Sequence, residues 1–239
     1  MEKAKELKEK LFFSKENGCI VLPDEELEKA AAFAEDYKAF LDAGKTEREC
    51  VTEAVKLAEA KGYVPFEAGK KYGPGDKVYL NNRGKSLVLC HVGSDPIEKG
   101  MQINAAHIDS PRLDVKQVPL YEDMEMALLK THYYGGIKKY QWTAIPLALH
   151  GVVAKKDGTV VKVSLGEDPR DPVFTVTDLL PHLSGEQMRR SLADGVRGEE
   201  LNILIGSRPF KDDKVSERVK LQLAKLLRVR CAITEADFL

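Results

Sequence analysis

The sequence has no hydrophobic run long enough to cross a membrane: nothing in its 239 residues approaches the ~18 consecutive apolar residues that a spanning helix requires. Its first residues, Met1-Glu2-Lys3-Ala4-Lys5-Glu6, are charged and hold no apolar stretch, which argues against a secretory signal. An excess of either charge is also missing. Lys and Arg number 37, Asp and Glu 38, and the formal net charge is -1. A general nucleic-acid binder needs clustered basic residues, so no nucleic-acid partner is expected. Cysteine is sparse and scattered, at Cys19, Cys50, Cys90 and Cys231, without C-x-x-C spacing. That pattern fits buried or free thiols in a reducing cytoplasm better than a disulfide framework. The motifs G-x-S-x-G, H-E-x-x-H and Walker A do not occur. What remains is ordinary for a soluble globular protein, with 43% hydrophobic and 31% charged residues. The length suits one large or two small domains.

Residues 24 to 44 predict a helix. Asp24 after Pro23 reads as the N-cap, with Glu25 and Glu26 in the first turn, where the helix dipole favours acids. Leu27, Ala30, Ala31, Ala34, Tyr37 and Leu41 share one face at helical spacing, and Gly44 is the stop. Thr46-Glu47-Arg48-Glu49 is a capping box that opens a second helix. Its expected buried stripe is Val51, Ala54, Val55 and Ala58, and Gly62 ends it. Two amphipathic helices in tandem suggest the outer layer of an α/β sandwich.

Strands are expected at 77–80 and 86–92, joined by the turn Asn81-Asn82-Arg83-Gly84. The second is nearly continuously apolar, the mark of a strand covered on both faces. Residues 101–106 form another strand candidate that runs directly into His107. From about Leu113 the pattern changes to short strands and turns. Residues 151–154 and 159–163 make a hairpin around Lys155-Lys156-Asp157-Gly158, and 173–176 and 201–205 read as strands. Val215, Val219, Leu223, Leu226 and Leu227 mark a last amphipathic helix. Residues 124–134 suit helix or strand, with Thr131-His132-Tyr133-Tyr134 leaning to strand. The composition shift near 113–120 is the expected domain boundary.

The stretch Ala105-Ala106-His107-Ile108-Asp109-Ser110-Pro111 carries the chemistry. Open α/β sheets bind ligands at the C-terminal ends of strands, where His107 would fall. In an extended segment, residues two apart point to the same side, so Asp109 reaches the His107 imidazole and accepts one ring N–H. That bond fixes the tautomer and makes the other nitrogen a better metal ligand. Pro111 stops a helix from forming and redirects the chain. On spacing alone the triplet is common, and a structural histidine with a satisfied ring is the simpler reading. Cys90 and His91 are adjacent in a strand and face opposite ways, as a core cysteine beside a surface histidine. His132 and His150 read as packing residues, and His182 as a cap or surface residue after Pro181. The acidic pairs Glu25-Glu26, Glu199-Glu200 and Asp212-Asp213 read as solvated helix starts or charged loops.

The run Asn104-Ala105-Ala106-His107-Ile108-Asp109-Ser110-Pro111-Arg112-Leu113-Asp114 resembles the first metal motif of the aspartyl aminopeptidase / vacuolar aminopeptidase I family of zinc metallopeptidases. Tyr133-Tyr134-Gly135-Gly136-Ile137-Lys138-Lys139-Tyr140-Gln141-Trp142 resembles that family's next block, in a form similar to a bacterial, clostridial-type branch. Asp171-Pro172-Val173-Phe174-Thr175-Val176-Thr177-Asp178-Leu179-Leu180-Pro181-His182-Leu183 resembles a third. The blocks stand in order, and the resemblance covers essentially the whole chain.

The resemblance implies an α/β fold: part of a split α/β metallopeptidase catalytic domain plus an inserted β-rich dimerisation domain. Residues 1–113 would be the first part of the catalytic domain, 114–230 the inserted domain, and 231–239 the start of the return to the catalytic domain. The implied function is a cytoplasmic zinc-type metalloaminopeptidase that removes N-terminal residues from peptides. It would act as a homo-oligomer, dimer or larger, with two divalent metal ions. His107 would ligate a metal, and Asp109 would serve the catalytic site by orienting His107. Family members are considerably longer, and their further ligands would fall beyond Leu239: a bridging Asp, a Glu-Glu pair with the general base, a further carboxylate and a late His. The chain alone is therefore expected to be an inactive N-terminal half. Some relatives send a histidine from the inserted domain into a neighbouring subunit's site, and the match near Asp168 lacks one. The competing expectation is a non-catalytic oligomerisation or binding module that kept the fold.

Overall fold

The structure is a computed structural model that describes residues 4–212 and 214–238. The chain divides into two compact units, Met1–Asn104 and Ala105–Leu239.

The first unit opens with four helices: α1 (Ala4–Leu11), α2 (Gly18–Val21), α3 (Asp24–Ala43) and α4 (Glu47–Ala60). The cap of α3 differs from the sequence expectation. The residue with extended backbone ahead of the helix is Pro23, at ψ 149, and Asp24 already lies in the first turn with Glu25 and Glu26. Pro23 offers no side-chain acceptor, so the three acids act on the helix end through the dipole instead. The expected stripe on α3 is not covered: none of its residues is buried, and Tyr37 and Leu41 are exposed. Helical spacing says which face is apolar, whereas burial needs a surface packed against it. The Thr46 cap of α4 is as expected. The Glu49 N–H donates to Thr46 Oγ1 at 3.3 Å, and the Thr46 N–H donates to Glu49 Oε2 at 2.9 Å. Cys50, Val51 and Ala58 of α4 are buried.

Three strands follow in the order β1 (Val64–Pro65), β2 (Lys77–Asn82) and β3 (Ser86–His91), with β1 parallel and β3 antiparallel to β2. The β2–β3 turn is the expected one. Arg83 and Gly84 take left-handed backbone, φ 59 and 67, and the Gly84 N–H donates to Asn81 Oδ1 at 2.7 Å. The apolar run of β3 is not covered on both faces. α4 packs on this sheet, yet Val88 and Leu89 are exposed, and so is Cys90, which the sequence placed in the core. Residues 101–106 form no strand. An apolar composition permits a strand, but a ladder requires a neighbour in register.

The second unit is β-rich. It holds β4 (Arg112–Asp123), β5 (Met126–Tyr134), β6 (Leu149–Ala154), β7 (Val160–Leu165), β8 (Thr175–Val176), β9 (Ile203–Gly206) and α5 (Arg218–Cys231). A four-stranded antiparallel sheet runs β4-β5-β9-β8, and β6–β7 is the hairpin the sequence predicts. The ambiguous segment resolves as β5. Its residues Ala127, Leu129 and Thr131 are buried in alternation, the period of a strand with one covered face. The buried Thr131 hydroxyl donates to the Leu201 carbonyl, so the polar group inside is satisfied.

The register between β4 and β5 breaks after Val115↔Thr131 and resumes at Leu120↔Leu129. Residues 116–119 therefore form a bulge, with Val118 at φ 44 and Pro119 fully buried. The core gathers Leu120, Leu129, Phe174, Val176, Leu201 and Ile203. From α5, Val219 and Leu223 join it. Val215, the first residue of the expected stripe, lies ahead of that helix and is exposed. Among the described residues, no helix is long and apolar enough to cross a membrane.

Candidate functional site

His107 lies in an unpaired segment ahead of β4, not at the end of a strand as the sequence suggested. Its ring is open to solvent, with 83% of the side chain exposed. Asp109 does lie beside the ring, but the acceptor that bonds it is the main-chain carbonyl, with the expected carboxylate farther off. Nδ1 of His107 lies 2.9 Å from the Asp109 carbonyl oxygen and 3.4 Å from Asp109 Oδ1. Both neighbours are acceptors, so the geometry calls for a proton on Nδ1, and Nε2 is the nitrogen turned to a metal. The extended spacing argument thus holds at its essential point: residues 107 and 109 do face one another.

Sequence reasoning missed a third member. The Tyr134 hydroxyl donates to Asp109 Oδ2 at 2.8 Å. This bond, with smaller help from the Asp109 backbone and from His107, holds the Asp109 carboxyl below the usual carboxylate range. Tyr134 closes β5 directly opposite Arg112 of β4. The Arg112 guanidinium stacks on the Tyr134 ring at 4.1 Å from its centroid. Arg112 Nε in turn donates to Asp114 Oδ1 at 2.7 Å. Gly135 follows at φ 80, a left-handed conformation that takes the chain out of the strand without strain. Tyr134 stood within a recognised block, but sequence spacing gave no sign that it reaches a residue 25 positions away.

The other candidates are accounted for locally. His150, 13% exposed at its side chain, lies with Nε2 2.9 Å from Glu167 Oε1. His132 is exposed and stacks on Tyr133, with ring centroids 5.2 Å apart. His91 and His182 are exposed. Glu25 and Glu26 hold Lys29 at 2.8 and 3.0 Å. Glu199 pairs with Lys116 at 2.8 Å, and Glu200 with Arg190 at 2.9 Å. Asp212 is exposed, and Asp213 lies outside the described residues. The four cysteines are free thiols.

An imidazole beside a carboxylate two residues on, ahead of the first strand of a β-rich unit, is the kind of element a metallopeptidase uses. Comparison with known proteins agrees. Residues 40–239 match the family of aminopeptidase I zinc metalloproteases, M18. A probable M18 family aminopeptidase 1 of Clostridium acetobutylicum is 52% identical over 219 residues, covering 90% of this chain and 47% of the relative. The crystal structure of an M18 family aminopeptidase from Thermotoga maritima superposes with a TM-score of 0.87 at 41% identity, covering 95% of this chain and 49% of that one. Aminopeptidase I from Clostridium acetobutylicum gives a TM-score of 0.83 at 48% identity, over 95% of this chain and 51% of that one. The chain belongs to the M18 family of zinc metalloproteases. It spans about half the length of the relatives it matches.

The family implies zinc, and the donor chemistry of His107 suits it: a neutral imidazole nitrogen with a carboxylate behind the ring. Among the described residues, no three His, Cys, Asp or Glu side chains gather to hold an ion. His107 therefore fits as the contributor of one ligand rather than as a complete centre.

Proposed function

We propose that this chain is part of a metalloaminopeptidase whose assembled form removes N-terminal residues from peptides, and that His107 supplies one ligand of its metal centre. The brace at His107 carries the reading: one ring nitrogen is held by two oxygens of Asp109, within a chain of the zinc metalloprotease family. Residues 1–113 form the first part of the α/β catalytic domain, 114–230 the inserted β-rich domain, and 231–239 the start of the return. The other ligands and the general base come from elsewhere in the assembled enzyme. When bound, a pair of zinc-type ions supplies Lewis acidity and a water deprotonated near neutral pH. His107 presents Nε2, while Asp109 fixes the ring and raises its basicity. The chain by itself is inactive. The β-rich domain joins subunits into a dimer or larger homo-oligomer, and the enzyme works in the reducing cytoplasm, where its cysteines stay as thiols.

The test is Asp109→Ala in the active enzyme, read by metal content and peptide hydrolysis. Metal affinity or turnover falls roughly 10–100-fold if Asp109 braces a ligand. Full metal content with unchanged turnover overturns the reading. Light scattering of the 239-residue chain tests the assembly role, and a strict monomer at high concentration counts against it.

A further inference from the structure

We infer that Tyr134 is a positioning residue for His107, acting through the Asp109 carboxylate. The inference rests on the reading of His107 as a metal ligand, and it adds the device that sets the orientation of that ligand.

A carboxylate has two oxygens, and here they are divided between two partners. Oδ2 accepts the Tyr134 hydroxyl at 2.8 Å, while Oδ1 faces His107 Nδ1 at 3.4 Å. Without the hydroxyl, the Asp109 carboxylate keeps only its weaker contacts to its own backbone and to His107, and a change of rotamer moves Oδ1 relative to the ring. The bond from Tyr134 selects one rotamer. It thereby keeps Oδ1 beside Nδ1, where it adds to the bond that the Asp109 main-chain carbonyl accepts from Nδ1 at 2.9 Å, and Nε2 stays open to a cation.

Tyr134 is suited to this task because it is itself held. His107 and Asp109 belong to a segment with no strand pairing, whereas Tyr134 belongs to the four-stranded sheet. Its ring lies under the Arg112 guanidinium at 4.1 Å, and Arg112 is tied to Asp114 at 2.7 Å. A continuous line of contacts thus runs from Asp114 through Arg112, Tyr134 and Asp109 to His107. The sheet passes its order to an otherwise irregular segment by this line.

The experiment is Tyr134→Phe, which keeps the ring under Arg112 and removes only the oxygen. Long-range proton–nitrogen NMR of His107 in the metal-free chain reads its tautomer. The unsubstituted chain shows mainly Nδ1–H, and Tyr134→Phe shows a several-fold larger Nε2–H fraction with an unchanged melting temperature. In the assembled enzyme, zinc affinity falls about tenfold. An unchanged tautomer overturns the inference. A tautomer shift combined with His107→Ala that leaves metal content intact upholds the positioning role and overturns the metal reading instead. Should Tyr134→Phe fail to fold, the Tyr134 ring-carbon Cζ shift is compared between the unsubstituted chain and Asp109→Asn. A displaced resonance supports the bond, and an identical one overturns it.

Discussion

The Cys50 thiol donates to the Gly44 carbonyl at 3.3 Å, and the two residues are so close that a methyl group on Gly44 would come within 2.9 Å of Cys50 Sγ. It would also come within 3.1 Å of the Phe40 carbonyl oxygen. Gly44 ends α3 at φ -103, so close approach, not a left-handed backbone, is what requires glycine here. The end of α3 is folded onto a sulfur of α4.

Gly44→Ala is therefore expected to destabilise the chain by about 1–3 kcal/mol, the usual cost of forcing extra volume into a packed site. Thermal unfolding measures it. Combining the change with Cys50→Ala should recover part of the loss, since the sulfur is one of the two clashing atoms. Burial also pushes the Cys50 thiol up from its ordinary range. At pH 8, alkylation should then mark the exposed Cys19 and Cys90 well before Cys50.

The β4–β5 hairpin turns on Met124 and Glu125, both left-handed at φ 47 and 57. Such a two-residue turn matches the twist of the strands but suits Asn-Gly far better than Met-Glu. Met124 is 83% exposed, so its side chain adds little packing. Glu125 gives up only an exposed contact to Arg218 at 3.4 Å. Replacing the pair, Met124→Asn with Glu125→Gly, should stabilise the chain by about 1 kcal/mol and raise Tm by roughly 2–4 °C. A lower Tm in calorimetry would contradict this account of the turn.

Asp168 gives the clearest pH dependence. Arg170 grips it with Nε at 2.9 Å and Nη2 at 2.7 Å, and the Arg170 N–H adds a bond at 2.8 Å. These donors lower the Asp168 carboxyl from 3.8 to about 2. A carboxyl lowered in the folded chain stabilises above its unfolded value, and that contribution fades as the pH falls toward about 2. Carbon NMR titration should find the low midpoint. Arg170→Ala should return it toward 3.8, the ordinary value for aspartate.

Much of the local structure could be read from the chain because its cause is local. The Thr46–Glu49 box is a pattern of four residues, and the structure contains both of its bonds. The β2–β3 and β6–β7 hairpins follow from turn residues between apolar runs. The nearness of the His107 ring and the Asp109 carboxylate needed only the alternation of an extended backbone, whereas the bond to the Asp109 main-chain carbonyl was not legible.

The features that escaped depend on distant partners. The 101–106 segment has strand composition without a strand beside it, and β3 has an apolar run without a cover over Val88 and Leu89. Tyr134 meets Asp109 because Arg112 and Tyr134 fall opposite each other in the ladder, and that register depends on the bulge at 116–119 and on the turn at Met124. A single sequence does not display such registers.

The exposed apolar side chains of the first unit also affect how the chain can be handled. Leu80, Val88 and Leu89 stand open on β2 and β3, and β3 ends its sheet among the described residues. An open strand edge beside greasy side chains invites like molecules to stack by hydrogen bonding. Purified alone, the chain should be sensitive to concentration and salting-out, and mild chaotropes or added surfactant should keep it dispersed.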